Sequence, residues 1–218
     1  MTNSEENHIK AIFHLSEEGI KIASTNEIAK RMNTRPSSVT DMIKKLSKKG
    51  LVNHKKYKGT FLTTKGKKRA LQIVRKHRLW ETFMVEKLKF NWDEVHEIAE
   101  QLEHINSEKL IDKLDEFLGF PKVDPHGDTI PKKDGSYEKQ EKIRLSELPI
   151  GNVGVCVGLG DSSTAFFRFL DKYKIALGST IKVLSKEEFD KSMDISISGK
   201  SFHISHQIAY NLYINIKH

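Results

Sequence analysis

His96, Glu100, Glu103 and His104 stand at i, i+4, i+7 and i+8 within the stretch Asn91 to Ile105. At 3.6 residues per turn this spacing predicts a single stripe on a single helix. His77 and Glu81 repeat the i, i+4 step a little upstream. Imidazoles and carboxylates converging on one face are the donor set that divalent transition metals take. Crowding the carboxylates together without a cation would cost several kcal/mol each. One histidine alone would read as an ordinary surface or core residue, whereas this many donors in register read as a metal site. The pattern is not that of a zincin, because Glu100 stands where a second histidine should follow His96-Glu97. A di-iron carboxylate bundle needs such ligands on several helices, and only one carboxylate-histidine helix is predicted.

The elements that must position these donors are legible as punctuation and periodicity. Ile9, Ile12, Phe13 and Leu15 predict a helix over residues 5–18. Ser24 to Glu27 is a capping box that opens a short helix with Ile28, Ala29 and Met32 inward. Pro36 suits the first turn of the next helix, which carries Val39, Met42, Ile43 and Leu46 and stops at Gly50. Two strand-like runs, from Leu51 and from Thr60, flank a lysine-rich turn ending at Gly59. Helix, helix, turn, helix and a two-stranded wing make a winged helix-turn-helix. Its reading helix would bring Arg35, Ser37, Ser38, Thr40 and Asp41 to base edges, with Lys44, Lys45, Lys55, Lys56 and Lys58 at phosphates. A longer basic helix follows from about Lys65, then the donor helix from about Asp93, then a helix from Ser107 to Leu118 with Ser107 as N-cap. Residues 121–140 read as a linker. Beyond Ile143, short β-like runs separated by glycines, with one helix near 164–172, predict a small five-stranded barrel.

Charge supports this division. From Met42 to Trp80 there is no Asp or Glu among many lysines and arginines, and from Glu81 to Leu118 the acids prevail. A basic unit followed by an acidic one suggests a polyanion at the first and a cation at the second. The net charge is +8 over 218 residues, with one cysteine. A disulfide scaffold and a cysteine-held zinc or iron–sulfur site are thereby excluded. With no long apolar run and no charged-then-apolar leader, no membrane partner is expected and the cytoplasm is the expected compartment. Gly154 to Gly160 lacks the third glycine of a dinucleotide loop, since Ser163 occupies that step. Cys156 reads as a buried small hydrophobe.

Together, Pro36 to Thr40, Leu62 to Lys67, Arg75 to Glu81 and Val95 to His104 resemble, in order, the motifs of the diphtheria toxin repressor/manganese transport regulator family. Asp124-Pro-His-Gly127 and the C-terminal region resemble its longer members. The resemblance implies a mainly α N-terminal two-thirds, winged helix-turn-helix plus helical dimerisation domain, and a small all-β SH3-like (FeoA-like) barrel. The expected domains are 1–73 for DNA binding, 74–140 for metal binding, dimerisation and linker, and 141–218 for the barrel. It implies an activating site of Asn7, Glu100, Glu103 and His104 and a second site of His77, Glu81 and His96, with Asp161 as a candidate ligand from the barrel. Glu100 matches the manganese-type branch, whose carboxylate is a harder donor than the thiolate of the iron-type branch. Lys10 departs from it, standing where that branch has a carboxylate. The implied function is a homodimeric, Mn2+- or Fe2+-activated repressor of metal-uptake genes on a palindromic double-stranded operator, not an enzyme. Leu79, Phe83 and Leu88 are expected at the dimer surface. The alternatives are a metalloenzyme with a basic localisation domain and a winged-helix regulator of a small organic ligand.

Overall fold

A computed structural model of the chain describes residues 1–16, 21–55, 59–136, 141–161 and 163–216. Its contacts gather into two units, residues 1–77, 100–113 and 131–137 forming one, and 78–99, 114–130 and 138–218 the other.

In the first unit, α1 (Asn3–Leu15) starts at Thr2, whose hydroxyl accepts from the Glu5 amide while Glu5 reaches back to the Thr2 amide. Two of the orphan amides of the first turn are thereby satisfied. Ile9, Ile12 and Phe13 from α1 are fully buried with Ile28, Val39 and Leu46. Each such side chain contributes roughly 1.5–3 kcal/mol on burial. α2 (Thr25–Arg31) has the expected Ser24–Glu27 capping box. α3 (Pro36–Lys48) begins on its proline and buries Val39, Ile43 and Leu46. Asn33, at φ 47°, turns the chain between them, in a left-handed conformation that asparagine tolerates. The wing is β1 (Val52–Lys55) paired antiparallel with β2 (Gly59–Leu62), and Ala23 adds a bridge to Thr60. α4 (Thr64–Glu86) is one continuous helix of 23 residues that contributes to both units. A Cβ on Gly66 would lie 1.9 Å from the Leu51 carbonyl oxygen, so glycine lets α4 press against the start of the wing.

α5 (Val95–Leu102) is shorter than the spacing of its donors suggests. It ends before Glu103 and His104, and Ile105 closes a turn onto Leu102 at 3.1 Å. The prediction of four donors on one helical stripe is therefore corrected. Ser107 accepts from the Leu110 amide and opens α6 (Glu108–Phe117), so the chain must leave one helix before it can be capped into the next.

The second unit is built on an antiparallel sheet of six strands in the order β3-β8-β4-β5-β6-β7. These are β3 (Ile143–Arg144), β4 (Val153–Leu159), β5 (Thr180–Lys186), β6 (Met193–Ile197), β7 (Lys200–Ile204) and β8 (Leu212–Ile216). A five-stranded barrel was expected, on four runs that match β4, β5, β6 and β8; the two-residue β3 and the polar β7 were not among them. β4 and β5 each carry a register shift, between Cys156 and Gly158 and between Val183 and Ser185, where a bulge bends the sheet. α7 (Thr164–Tyr173) buries Phe166, Phe167 and Leu170 in the core, and α8 (His206–Tyr210) buries Ala209. Cys156 is fully buried there, and burial pushes its thiol up to about 11, which suits a packing role. Leu79 is buried within its own chain, so it leaves the expected dimer surface. Leu88, Phe117 and Phe120 are more than half exposed, and Phe83 packs on Phe117. Among the described residues no helix is long and apolar enough to cross a membrane.

Candidate metal centres and nucleic-acid surface

In the first unit, α1 supplies Glu6, Asn7 and Lys10, α4 supplies His77, and the end of α5 with its turn supplies Glu100, Glu103 and His104. Glu103 is fully buried. The Lys10 ammonium lies 2.6 Å from Glu100 Oε1 and 2.6 Å from Glu103 Oε2, and His77 Nδ1 lies 2.7 Å from Glu103 Oε2. One ligand atom from each of His77, Glu100 and Glu103 fits within a mutual distance of 4.8 Å. Two oxygens are left over: Glu103 Oε1 and Asn7 Oδ1 are buried without a hydrogen-bond partner. An orphaned buried acceptor costs about 1–3 kcal/mol, more when charged, and a cation is what such oxygens lack. Oxygen donors with imidazole suit Mn2+ and Fe2+, so the residues present fit a divalent ion.

Glu6, which the sequence reading passed over, fixes His104. Its Oε2 is 2.8 Å from His104 Nδ1 and its Oε1 is 2.7 Å from Arg69. Burial raises the Glu6 pKa, but the His104 hydrogen bond and the charges of Lys76 and Arg69 outweigh it, so the net shift is downward. An ionised carboxylate only accepts, so His104 donates to it through Nδ1 and keeps Nε2 as its other ring nitrogen. That is the tautomer a metal ligand needs.

In the second unit Glu81, Asp124 and His126 form another buried group, again within 4.8 Å of one another. His126 Nδ1 is 3.6 Å and His96 Nδ1 3.2 Å from Glu81. The Asp124 Oδ1 accepts the His126 and Asp128 amides at 2.8 and 3.0 Å, and Arg78 Nε lies 3.3 Å from Oδ2. His126 stacks on Phe167 and its Nε2 faces the Trp92 carbonyl at 3.0 Å. Gly127, at φ 83°, has no room for a Cβ, which would lie 2.1 Å from the Val157 carbonyl oxygen; glycine lets this loop seat against β4. Burial, then the Asp128 charge, raises Asp124 to about 6 against the pull of Arg78. Burial opposes charge on His126, but Glu81 and Asp124 outweigh it and hold the imidazole up at about 9.

Of the set expected at the second site, Glu81 and His96 meet at 3.2 Å, and His77 stands one turn before Glu81 on α4, with its Nδ1 2.7 Å from Glu103. Asp124 and His126 were not read as ligands from sequence. The signal was an Asp-x-His step followed by glycine inside a loop otherwise read as a linker. Asp161 accepts the Ser163 amide at 2.7 Å, ahead of α7.

Arg35, Ser37, Ser38, Thr40, Asp41 and Lys44 all lie exposed at or along α3, and Lys55 is exposed at the end of β1. Thr40 donates to the Pro36 carbonyl, and Lys44 pairs with Asp41 at 3.2 Å. Lys45 and Lys49 both reach the buried Glu5, at 3.0 and 2.7 Å, and so tie α3 to α1. Lys56 and Lys58 lie outside the described residues.

Residues 1–60 match the iron dependent repressor N-terminal DNA binding domain, 63–132 the iron dependent repressor metal binding and dimerisation domain, and 143–216 the FeoA domain. The iron-dependent repressor IdeR of Mycobacterium leprae is 31% identical over 159 residues, covering 70% of this chain and 69% of that protein. The HTH-type transcriptional regulator MntR of Oceanobacillus iheyensis is 35% identical over 123 residues, 56% of this chain and 82% of that protein. A solved manganese-dependent transcriptional repressor in complex with manganese superposes with a TM-score of 0.91 at 33% identity, covering 98% of this chain and 100% of that one.

Proposed function

The chain belongs to the iron-dependent repressor family, and we propose that it is a homodimeric DNA-binding repressor of metal-uptake genes, activated by Mn2+ or Fe2+. The observation that carries this reading is the buried Glu103, with one oxygen held by Lys10 and His77 and the other without a partner. Asn7, Glu100, Glu103 and His104 would hold the activating ion, whose contribution is fixed positive charge among oxygens that otherwise repel. Glu81, His96, Asp124 and His126 would hold a second, with His77 and Asp161 as the remaining members of the expected set. Glu100, a hard carboxylate donor, favours Mn2+.

The chain's own residues connect the first group to the reading helix. Asn7 and Lys10 sit on α1, and Glu5 on the same helix holds Lys45 and Lys49 of α3. A change in how Glu100 and Glu103 hold α1 therefore reaches α3 through ion pairs and the shared apolar core. The two arrangements of α1 are what metal would bias, as linkage requires. Arg35, Ser37, Ser38, Thr40 and Asp41 are read as the base-facing set, and Lys44, Lys55, Lys56 and Lys58 as phosphate contacts. We read residues 1–73 as the DNA-binding part, 74–140 as the metal and dimer part, 141–218 as the barrel, and the cytoplasm as the compartment.

The test is selection of duplex DNA from a random library with Mn2+ present, followed by anisotropy titrations with Mn2+, Fe2+, Zn2+, Ca2+ or excess chelator. Tight, sequence-selective binding with Mn2+ or Fe2+ and its loss in chelator are expected. Equal binding in chelator would overturn the metal switch.

A further inference from the structure

A cavity of about 120 Å³ lies in the first unit between α4 and the start of α6. Arg69, Arg75 and Lys76 line it from α4, Asn106 and Ser107 from the opposite side, and Lys133 from the segment after residue 130. Four cations thus face it against two carboxylates, Glu108 and Asp112. Asp112 is shared, 3.4 Å from Arg75 and 2.6 Å from Lys133. Arg69 binds Glu6 through one terminal nitrogen, while its Nε is buried without a hydrogen-bond partner. Lys76 is 9% exposed, and its ammonium meets the Ile105 carbonyl only at 3.5 Å, the outer limit of a hydrogen bond. Ser107 caps α6 at the same place, and it and Glu108 bring the start of that helix to the lining.

We propose that this cavity binds a small phosphate monoester or inorganic phosphate, held by Lys76, Arg75, Arg69 and the first turn of α6. Guanidinium forks and a helix N-terminus are matched to a tetrahedral oxyanion. A water needs about 10–15 Å³ of such space, so the cavity readily admits a phosphate group. A phosphodiester within duplex DNA carries a single negative charge where a monoester carries nearly two, so four facing cations favour the monoester. Neither metal-candidate group contributes a residue to the lining. Glu6 nevertheless joins the two, since it accepts from Arg69 through one oxygen and from His104 through the other. An anion that engages Arg69 loosens Glu6 and with it the proton acceptor that orients His104. This coupling rests on His104 being a metal ligand; the anion site does not.

The experiment is calorimetry and phosphorus NMR on the full-length protein in excess chelator at constant ionic strength. The probes are inorganic phosphate, glycerol 3-phosphate and dimethyl phosphate. Saturable binding of one inorganic phosphate per chain is expected, with dimethyl phosphate weaker. Ser107→Asp keeps an N-cap residue on an exposed position but sets a negative charge at the mouth. It should weaken phosphate at least about tenfold, the effect of losing one charge-assisted contact. Lys76→Met should do the same while keeping the shape of the buried stem; if it does not fold, Ser107→Asp decides alone. Absence of saturable phosphate binding, equal binding by Ser107→Asp, or dimethyl phosphate as tight as phosphate overturns the proposal. Because metal is withheld, such a failure leaves the metal reading standing.

Discussion

Each unit gathers histidines and carboxylates in its interior, and each sets a cation from a long side chain against them. The two cations differ in kind. In the first unit Lys10 touches Glu100 and Glu103 with a point charge on a flexible stem. In the second, Arg78 is fastened to Asp124, Asp128 and the Thr129 carbonyl, while the Asp124 Oδ1 is occupied by two backbone amides. A guanidinium fixed at three points is part of the architecture, whereas an ammonium can swing aside. The unpartnered Glu103 Oε1 and Asn7 Oδ1 lie in the unit with the lysine. The difference teaches that one group is built to change occupancy and the other to hold its shape. On the proposed reading, activation would belong to the first, with the second as support.

The largest effect should come from Glu103→Ala. It removes a fully buried carboxylate and leaves Lys10 and His77 without their shared acceptor. Metal-dependent operator affinity should fall at least about 100-fold, the scale of breaking a buried charged pair. Circular dichroism checks that the helices persist and anisotropy reads the affinity. Asp124→Asn should cost less, about tenfold, the scale of a supporting contact to a metal site. If Asp124→Asn proves the more damaging at equal helicity, the two groups have been assigned the wrong roles.

Lys10→Met sharpens the comparison from the other side. Without the ammonium, the buried Glu103 and the partly exposed Glu100 repel each other unscreened by Lys10, and the protein in chelator should melt at lower temperature. Mn2+ should bind the variant several-fold more tightly, since it no longer displaces a covalently attached cation; a few-fold change is about 1 kcal/mol. Calorimetric Mn2+ titration decides it, and unchanged affinity would mean that Lys10 and the ion do not compete.

Local rules made much of this legible before any coordinates. The capping box at Ser24, Pro36 at the head of α3 and the stop at Gly50 are each written within a few residues, and they delimit the reading helix. Long-range placement was not written that way. Spacing alone put Glu103 and His104 on the helix of His96, because periodicity does not reveal where a helix ends; the turn at Ile105 does. Lys10 stood out only as a departure from a pattern, since nothing in sequence brings residue 10 to residue 103. β7 was missed because Lys200, Ser201 and His203 hide its alternation, although Ser198 and Gly199, both at positive φ, form the two-residue hairpin turn that announces it. The role of Asp124 and His126 depends on Glu81 and Phe167, which are distant in sequence, and on Gly127 letting the loop approach β4.

The smallest effect tests whether α1 is tied to α3 by charge as well as by packing. Glu5 has no exposed surface, and Lys49 holds its carboxyl down, with burial opposing and Lys45 assisting, at about 2 against an ordinary 4.5. A carboxylate whose folded pKa is depressed adds stability that is complete above the unfolded value and is lost as pH falls through the folded one. The contribution should therefore be intact above pH 4.5 and vanish towards pH 2. Both lysines are more than 40% exposed, so solvent screening keeps the interaction near 1 kcal/mol. Glu5→Gln should lower neutral-pH stability by about that amount and flatten the acid limb between pH 4.5 and 2 relative to wild type. Urea melts at a series of pH values measure both. Parallel acid limbs in the two proteins would show that apolar packing alone connects α1 to the reading helix, and the ionic route from Glu103 to α3 would have to be given up.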